Sequence, residues 1–127
     1  MSEPARLSLL VWAATPDRPA LAVTPLVHAL AAQALDCEVE IHFAGPAVRW
    51  LVEGVADAAR VAPASEKTVG VWLREVAAAG IPLYACGMAR AAWIGEHEQL
   101  IPECHGLAGA TAFVARQIDP AWRTAVF

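Results

Sequence analysis

The sequence predicts an α/β domain with a mainly parallel sheet and helices on both faces. Three observations carry that reading. Segments of strand character alternate with segments of helical periodicity along the 127 residues, as in chains built from βα units. The segments Leu7–Ala14 (LSLLVWAA) and Ile81–Ala85 (IPLYA) are near-continuous apolar runs, the pattern of strands buried on both faces. Turn and stop signals at Thr15–Pro19, Gly45-Pro46 and Gly80 separate the periodic segments. The length fits one domain, residues 1–127, long enough for a real core but too short for two.

Taken in order, Leu7–Ala14 is the first strand, and Thr15-Pro16-Asp17-Arg18-Pro19 ends it with turn chemistry. An Ala/Leu-rich helix follows and runs to about Asp36. Pro19 and Pro25 both suit a first helical turn, and Thr24 can cap a start at Pro25, so the helix kinks or begins there. Cys37–Ala44 alternates Glu38, Glu40 and His42 with Val39, Ile41 and Phe43, a period of two and therefore a second strand. Gly45-Pro46 turns the chain, and Pro46 opens a helix carrying Val48, Leu51 and Val52 on one side. Gly54 to Val61 is ambiguous between a short strand and an extended connection, and Pro63–Lys67 reads as loop.

Thr68–Ala79 has Val69, Trp72, Leu73 and Val76 at helical spacing, and Gly80 is its C-terminal stop. Ile81–Ala85 is then a buried strand and Met88–Ile94 a short helix. Gly95–His105 reads as polar loop, Gly106–Gln117 as a helix of small residues, and Ala121–Phe127 as a closing strand. No internal repeat, low-complexity tract or domain boundary interrupts the pattern.

Composition narrows the function. Hydrophobic residues make up 57% and charged residues 17%, which excludes disorder and points to apolar surface covered by partner subunits. A net charge of −4 and a single lysine, Lys67, argue against a nucleic-acid backbone binder, which needs a basic stripe. No apolar stretch is long and polar-free enough to read as a membrane span. Glu3 and the absence of a basic cluster at the N-terminus disfavour an export signal. The expectation is a soluble cytoplasmic protein. Three cysteines are too few for a disulfide scaffold, and their odd number leaves thiol chemistry open.

Cys86 is the leading candidate for chemistry. It ends a predicted parallel strand, where open α/β sheets place their ligand sites. Gly87 follows and permits a sharp turn and close backbone approach. A helix starts at once, directing free backbone N–H groups towards the sulfur, and Arg90 lies one turn on. These are conditions that favour a thiolate nucleophile. The bland alternative is a buried, inert cysteine.

The order of these features resembles the DsrE/DsrF-like sulfur-relay family. The resemblance rests on the first apolar strand with its Pro/Asp/Arg loop (Thr15–Pro19) and Ala-rich helix. It continues through Phe43-Ala44-Gly45 before a helix with Val48 and Leu51, the helix ending in Ala-Gly, and the strand Ile81–Cys86 followed by Ala89 and Arg90. It closes with a strand ending in Phe127, and so covers nearly the whole chain. It implies a five-stranded, three-layer α/β/α fold of Rossmann-like kind, assembled as trimers or hexamers. It further implies that Cys86 carries sulfur as a persulfide between donor and acceptor proteins. That chemistry needs no metal or organic cofactor: a thiolate accepts an outer sulfur and presents it to an acceptor thiol.

Other residues are weighed beside Cys86. Cys104 can act as a resolving thiol, or His105 as an acid or base, although a Cys-His pair in a surface loop more often does nothing. His97, Glu96, Glu98, Cys104 and His105 are zinc-type residues at a spacing that matches no structural zinc pattern, so no metal is expected. Asp17, in the loop after the first strand, can line the same sheet edge as Cys86. Cys37 falls at the opposite edge. His42 belongs to a polar face or a subunit contact, and His28 to the core or an interface. Of the five tryptophans, Trp93 is placed to wall the cysteine pocket. No Gly-x-Gly-x-x-Gly, phosphate loop or Cys-x-x-Cys is present, so neither nucleotide binding nor a thioredoxin-type dithiol has a motif behind it. Two other readings stay open: a non-catalytic module that binds a small ligand or partner at the same cleft, and a structural oligomer-forming subunit.

Overall fold

The computed structural model describes residues 3–127. Its strands are β1 (Arg6–Val11), β2 (Glu38–Phe43), β3 (Leu83–Ala85), β4 (Cys104–Leu107) and β5 (Trp122–Val126). They form one five-stranded sheet in the order β4-β3-β2-β1-β5, with every neighbouring pair parallel. The helices are α1 (Val23–Ala34), α2 (Val69–Ala78), α3 (Gly87–Trp93) and α4 (Ala110–Ile118). From β1 to β4 the strands step in one direction. Right-handed crossovers therefore place their connections on one face, while the return to β5 places α4 on the other.

Strand alternation sorts the side chains between those faces. Leu9, Val11, Ile41, Phe43 and Leu83 are buried beneath α1 and α2, which contribute Leu26, Ala29, Val69, Leu73 and Val76 to one core. Full burial of each large member stabilises the fold by about 1.5–3 kcal/mol. Trp50 is wholly buried and donates its indole N–H to the Ala14 carbonyl at 2.6 Å, so the one polar atom of the ring is satisfied. On the other face lie Ser8, Glu40, His42 and Tyr84, and α4 covers part of it through Phe113 and Arg116.

Helix boundaries follow local chemistry. Thr68 caps α2 by accepting the Val71 N–H at 3.3 Å, and Gly80 ends it at φ 84°, left-handed backbone that favours glycine. Several expectations are corrected. The helix expected at Pro46 is a 3-10 segment, Gly45–Leu51, and Gly54–Val61, open between a short strand and an extended connection, holds a 3-10 turn, Ala56–Ala58. Pro25 sits inside the first turn of α1, whose N-cap is Ala22 with no side-chain cap, so Thr24 does not cap it. Cys104 and His105 are not loop residues. They open β4, and the following helix begins at Ala110 rather than Gly106. This strand escapes sequence patterning because CHGL is short, contains Gly106, and lies at the sheet edge with a register shift against β3.

Candidate functional site

The site is built at the carboxyl ends of β2 and β3. The Cys86 N–H donates to the Phe43 carbonyl at 2.9 Å, which extends the ladder one residue beyond β3. Cys86 is also the N-cap of α3, and its carbonyl accepts the Arg90 N–H at 2.8 Å. The residue is 9% exposed. Alternation along β3 puts Cys86 on the same sheet face as Tyr84, and Tyr84 is the register partner of His42. His42 and Cys86 therefore share a face.

Over that face opens a cleft of about 540 Å³ between α3 and α4, within the size range of small-molecule sites. Cys86 and His42 lie in its lining with Phe43, Trp93, Phe113 and Val114. Among the described residues, no Lys, Arg, Asp or Glu lines it. The N-terminal end of α4 also borders it, through Gly109 and Ala110, and Gly109 provides no side-chain cap.

Beneath the cleft lies a buried polar cluster that sequence reasoning did not select. Glu40 is 6% and His42 4% exposed. Glu40 Oε2 lies 2.6 Å from His42 Nε2 and accepts the Ser8 hydroxyl at 2.9 Å. Arg116 of α4 reaches the other oxygen, Nη2 to Oε1 at 3.2 Å. Burial raises the Glu40 carboxyl pKa, but the bonds from Arg116, His42 and Ser8 outweigh it and leave the carboxyl below its ordinary value. The His42 ring stacks on Tyr84 at 5.2 Å and meets Phe113 edge-on at 5.6 Å. Sequence alternation put Glu38, Glu40 and His42 on one face. Only Glu38 is exposed there, because α4 closes over the other two.

The remaining candidates are placed as follows. Trp93 walls the cleft, as its spacing from Cys86 implied. Gly87 has no left-handed backbone, and a Cβ there would meet nothing within 4 Å, so no sharp turn requires glycine at this position. Arg90 and Asp17 are exposed and lie outside the lining. The Asp17 carboxyl is held below its ordinary pKa by the Thr15 hydroxyl. Cys104 pairs in register with Leu83, three residues before Cys86, so about 10 Å of strand separates the two cysteines. Its Sγ contacts the Gly106 carbonyl at 3.6 Å. His105 is exposed and meets Tyr84 edge-on at 5.3 Å. Cys37 lies just before β2, at the amino end of the central strand and so at the opposite end of the sheet from Cys86. His28 is exposed rather than buried, bonded through Nδ1 to the Thr24 carbonyl at 2.9 Å. Among the described residues, no three His, Cys, Asp or Glu side chains cluster as metal ligands, and no helix is long and apolar enough to cross a membrane.

The family model for the DsrE/DsrF-like family matches residues 9–124. The chain belongs to the DsrE/DsrF-like family. Solved structures agree on the fold. The YchN protein of E. coli aligns with a TM-score of 0.75 at 12% identity, covering 97% of this chain and 99% of that one. MTH1491, a protein of unknown function from Methanobacterium thermoautotrophicum, aligns with a TM-score of 0.66 at 15% identity, with the same coverage of 97% and 99%. At these identities the likeness concerns the fold alone. No curated protein sequence matches the chain. The family as a whole is associated with sulfur relay, and the resemblance read from the order of sequence features is to this same family.

Proposed function

We propose that this DsrE/DsrF-like protein accepts sulfur as a persulfide on Cys86 and passes it to an acceptor thiol. The observation that supports this reading is the position of Cys86, at the carboxyl end of a parallel strand and in the lining of the apolar cleft. Water-poor surroundings of that kind protect a reactive sulfur from side reactions. Donor and acceptor would be thiol-bearing proteins or small molecules, and the chemistry belongs to a reducing compartment such as the cytoplasm. We further propose a trimer or hexamer. Exposed Met88, Trp93, Leu107, Val114 and Ile118 supply apolar surface that partner subunits would cover.

A second reading rests on the same residue. At 9% exposure, Cys86 also suits a packing role in a non-catalytic binding or structural subunit. Intact mass after brief exposure to polysulfide separates the two. A reducible gain of about 32 Da in the wild type and none in Cys86→Ser supports the carrier. No gain, or an equal gain in the variant, leaves the binding or structural subunit. Light scattering tests the assembly, which predicts a mass three or six times that of one chain.

A further inference from the structure

The buried Glu40–His42 pair has no part in the reading above, and its geometry sets which ring nitrogen faces the carboxylate. An ionised carboxylate can only accept hydrogen bonds. Glu40, held ionised by Arg116, His42 and Ser8, therefore takes the proton on His42 Nε2 across 2.6 Å. In the neutral ring the lone pair is then on Nδ1, since the hydrogen bond found for the ring among the described residues is made through Nε2. His42 lies in the cleft lining although only 4% exposed. Tyr84 and Phe113 clamp its ring from two sides, so it cannot swing away. Nucleophile, base and orienting carboxylate in that order form the usual logic of an activated thiol. The Cα positions of His42 and Cys86 lie about 8 Å apart by strand spacing and rise. Both residues line the cleft, where a bound sulfur compound meets them together.

We propose that His42, oriented by Glu40, shuttles the proton for sulfur transfer at Cys86, and that the cleft takes a small uncharged apolar persulfide as donor. The inference rests on the Cys86 reading and adds the substrate class and the proton path. The absence of charged side chains from the described lining supports an apolar donor over a sulfur oxyanion. In the step, the Cys86 thiol proton passes to His42 Nδ1. The thiolate attacks the outer sulfur of R–S–SH. The new Sγ–S bond forms as the R–S bond to that sulfur breaks, and its electron pair leaves on R–S. His42 returns the proton to R–S, giving R–SH and Cys86–S–SH. No net electrons are gained or lost, so no oxidant or reductant is needed.

The test uses benzyl hydropersulfide as donor and benzyl methyl sulfide as an unreactive analogue. Transfer is followed by intact mass, and analogue binding by calorimetry, for wild type, His42→Asn and Glu40→Gln. The expected result is a saturating transfer rate at least about tenfold lower in both variants, with analogue affinity changed by less than about threefold. A purely structural role would move binding and rate together. Glu40→Gln keeps volume and a hydrogen bond to His42, so it decides the matter should His42→Asn fail to fold. Wild-type rates in the variants, parallel loss of binding and rate in both, or no binding of the analogue to wild type would overturn the proposal. If polysulfide loads Cys86 but benzyl hydropersulfide does not, this inference alone fails. If neither loads it, the carrier reading fails as well.

Discussion

Arg49 and Glu98 meet as a two-pronged ion pair, Nη1 to Oε1 and Nη2 to Oε2, each at 2.9 Å. The same guanidinium donates to the Trp93 carbonyl at 2.8 Å, and Glu98 also accepts the Gly95 N–H at 2.8 Å. One pair thus ties the 3-10 segment after β2 to the end of α3, and so steadies the tryptophan that walls the cleft. Planar guanidinium and carboxylate match in this geometry, which a lysine cannot reproduce.

This pair makes stability depend on acid. Its bonds to Arg49 and Gly95 hold the Glu98 carboxyl down at about 2, against about 4.3 in an unfolded chain. A lowered folded-state pKa contributes stability that is complete above the unfolded value and disappears as pH falls through the folded one. The thermal midpoint of wild type is expected to drop between about pH 4.5 and pH 2, and Glu98→Gln is expected to flatten that part of the curve. Equal slopes in the two proteins would show that Glu98 is not responsible.

Ser8→Ala tests the stability of the cluster under the cleft while leaving Glu40 and His42 themselves in place. Ser8 is wholly buried and bonds the Glu40 carboxylate at 2.9 Å. Loss of a buried hydrogen bond to a charged group costs about 1–3 kcal/mol. Urea unfolding is expected to show that loss at unchanged denaturant slope. A cost near zero would mean that water replaces the hydroxyl.

Gly70→Ala is expected to destabilise the protein although alanine is the better helix former by about 1 kcal/mol. A Cβ at this position in α2 would press on the Asp57 carboxylate and approach the Asp57 backbone nitrogen to 3.0 Å. The side chain can move only by giving up its bond to Arg74, now 2.7 Å, and the backbone cannot yield as easily. A net loss of about 1–3 kcal/mol is the expected result of such overpacking. Adding Asp57→Ala relieves the carboxylate contact, so the double variant should recover part of the loss in the same urea experiment. A stabilised single variant would show that the 3-10 turn at Asp57 shifts freely.

Much of the fold was legible because its signals are local. The apolar runs at Leu7 and Ile81, the period of two at Glu38–Phe43 and the helical spacing of Val69, Leu73 and Val76 each depend on neighbours in sequence, and each became the element expected. Thr68 and Gly80 marked the ends of α2 because a cap acts within one turn. The short edge strand at Cys104 carried no such signal, since only pairing with β3 makes it a strand.

By itself, the sequence determined the parallel α/β class, the family, and the place of Cys86 at the end of a strand. It also determined that Glu40 and His42 share a sheet face, because side-chain alternation is a property of the strand alone. Only the tertiary structure decided what that face meets. The chain returns across the sheet to β5, and the crossover lays α4 over Glu40 and His42 while leaving a cleft beside α3. Residues that read as a polar surface are thereby desolvated, and Glu40 is paired with Arg116, a partner 76 positions away in sequence. Periodicity within a strand carries no record of a helix that distant; burial and charge pairing exist only once the crossover has formed.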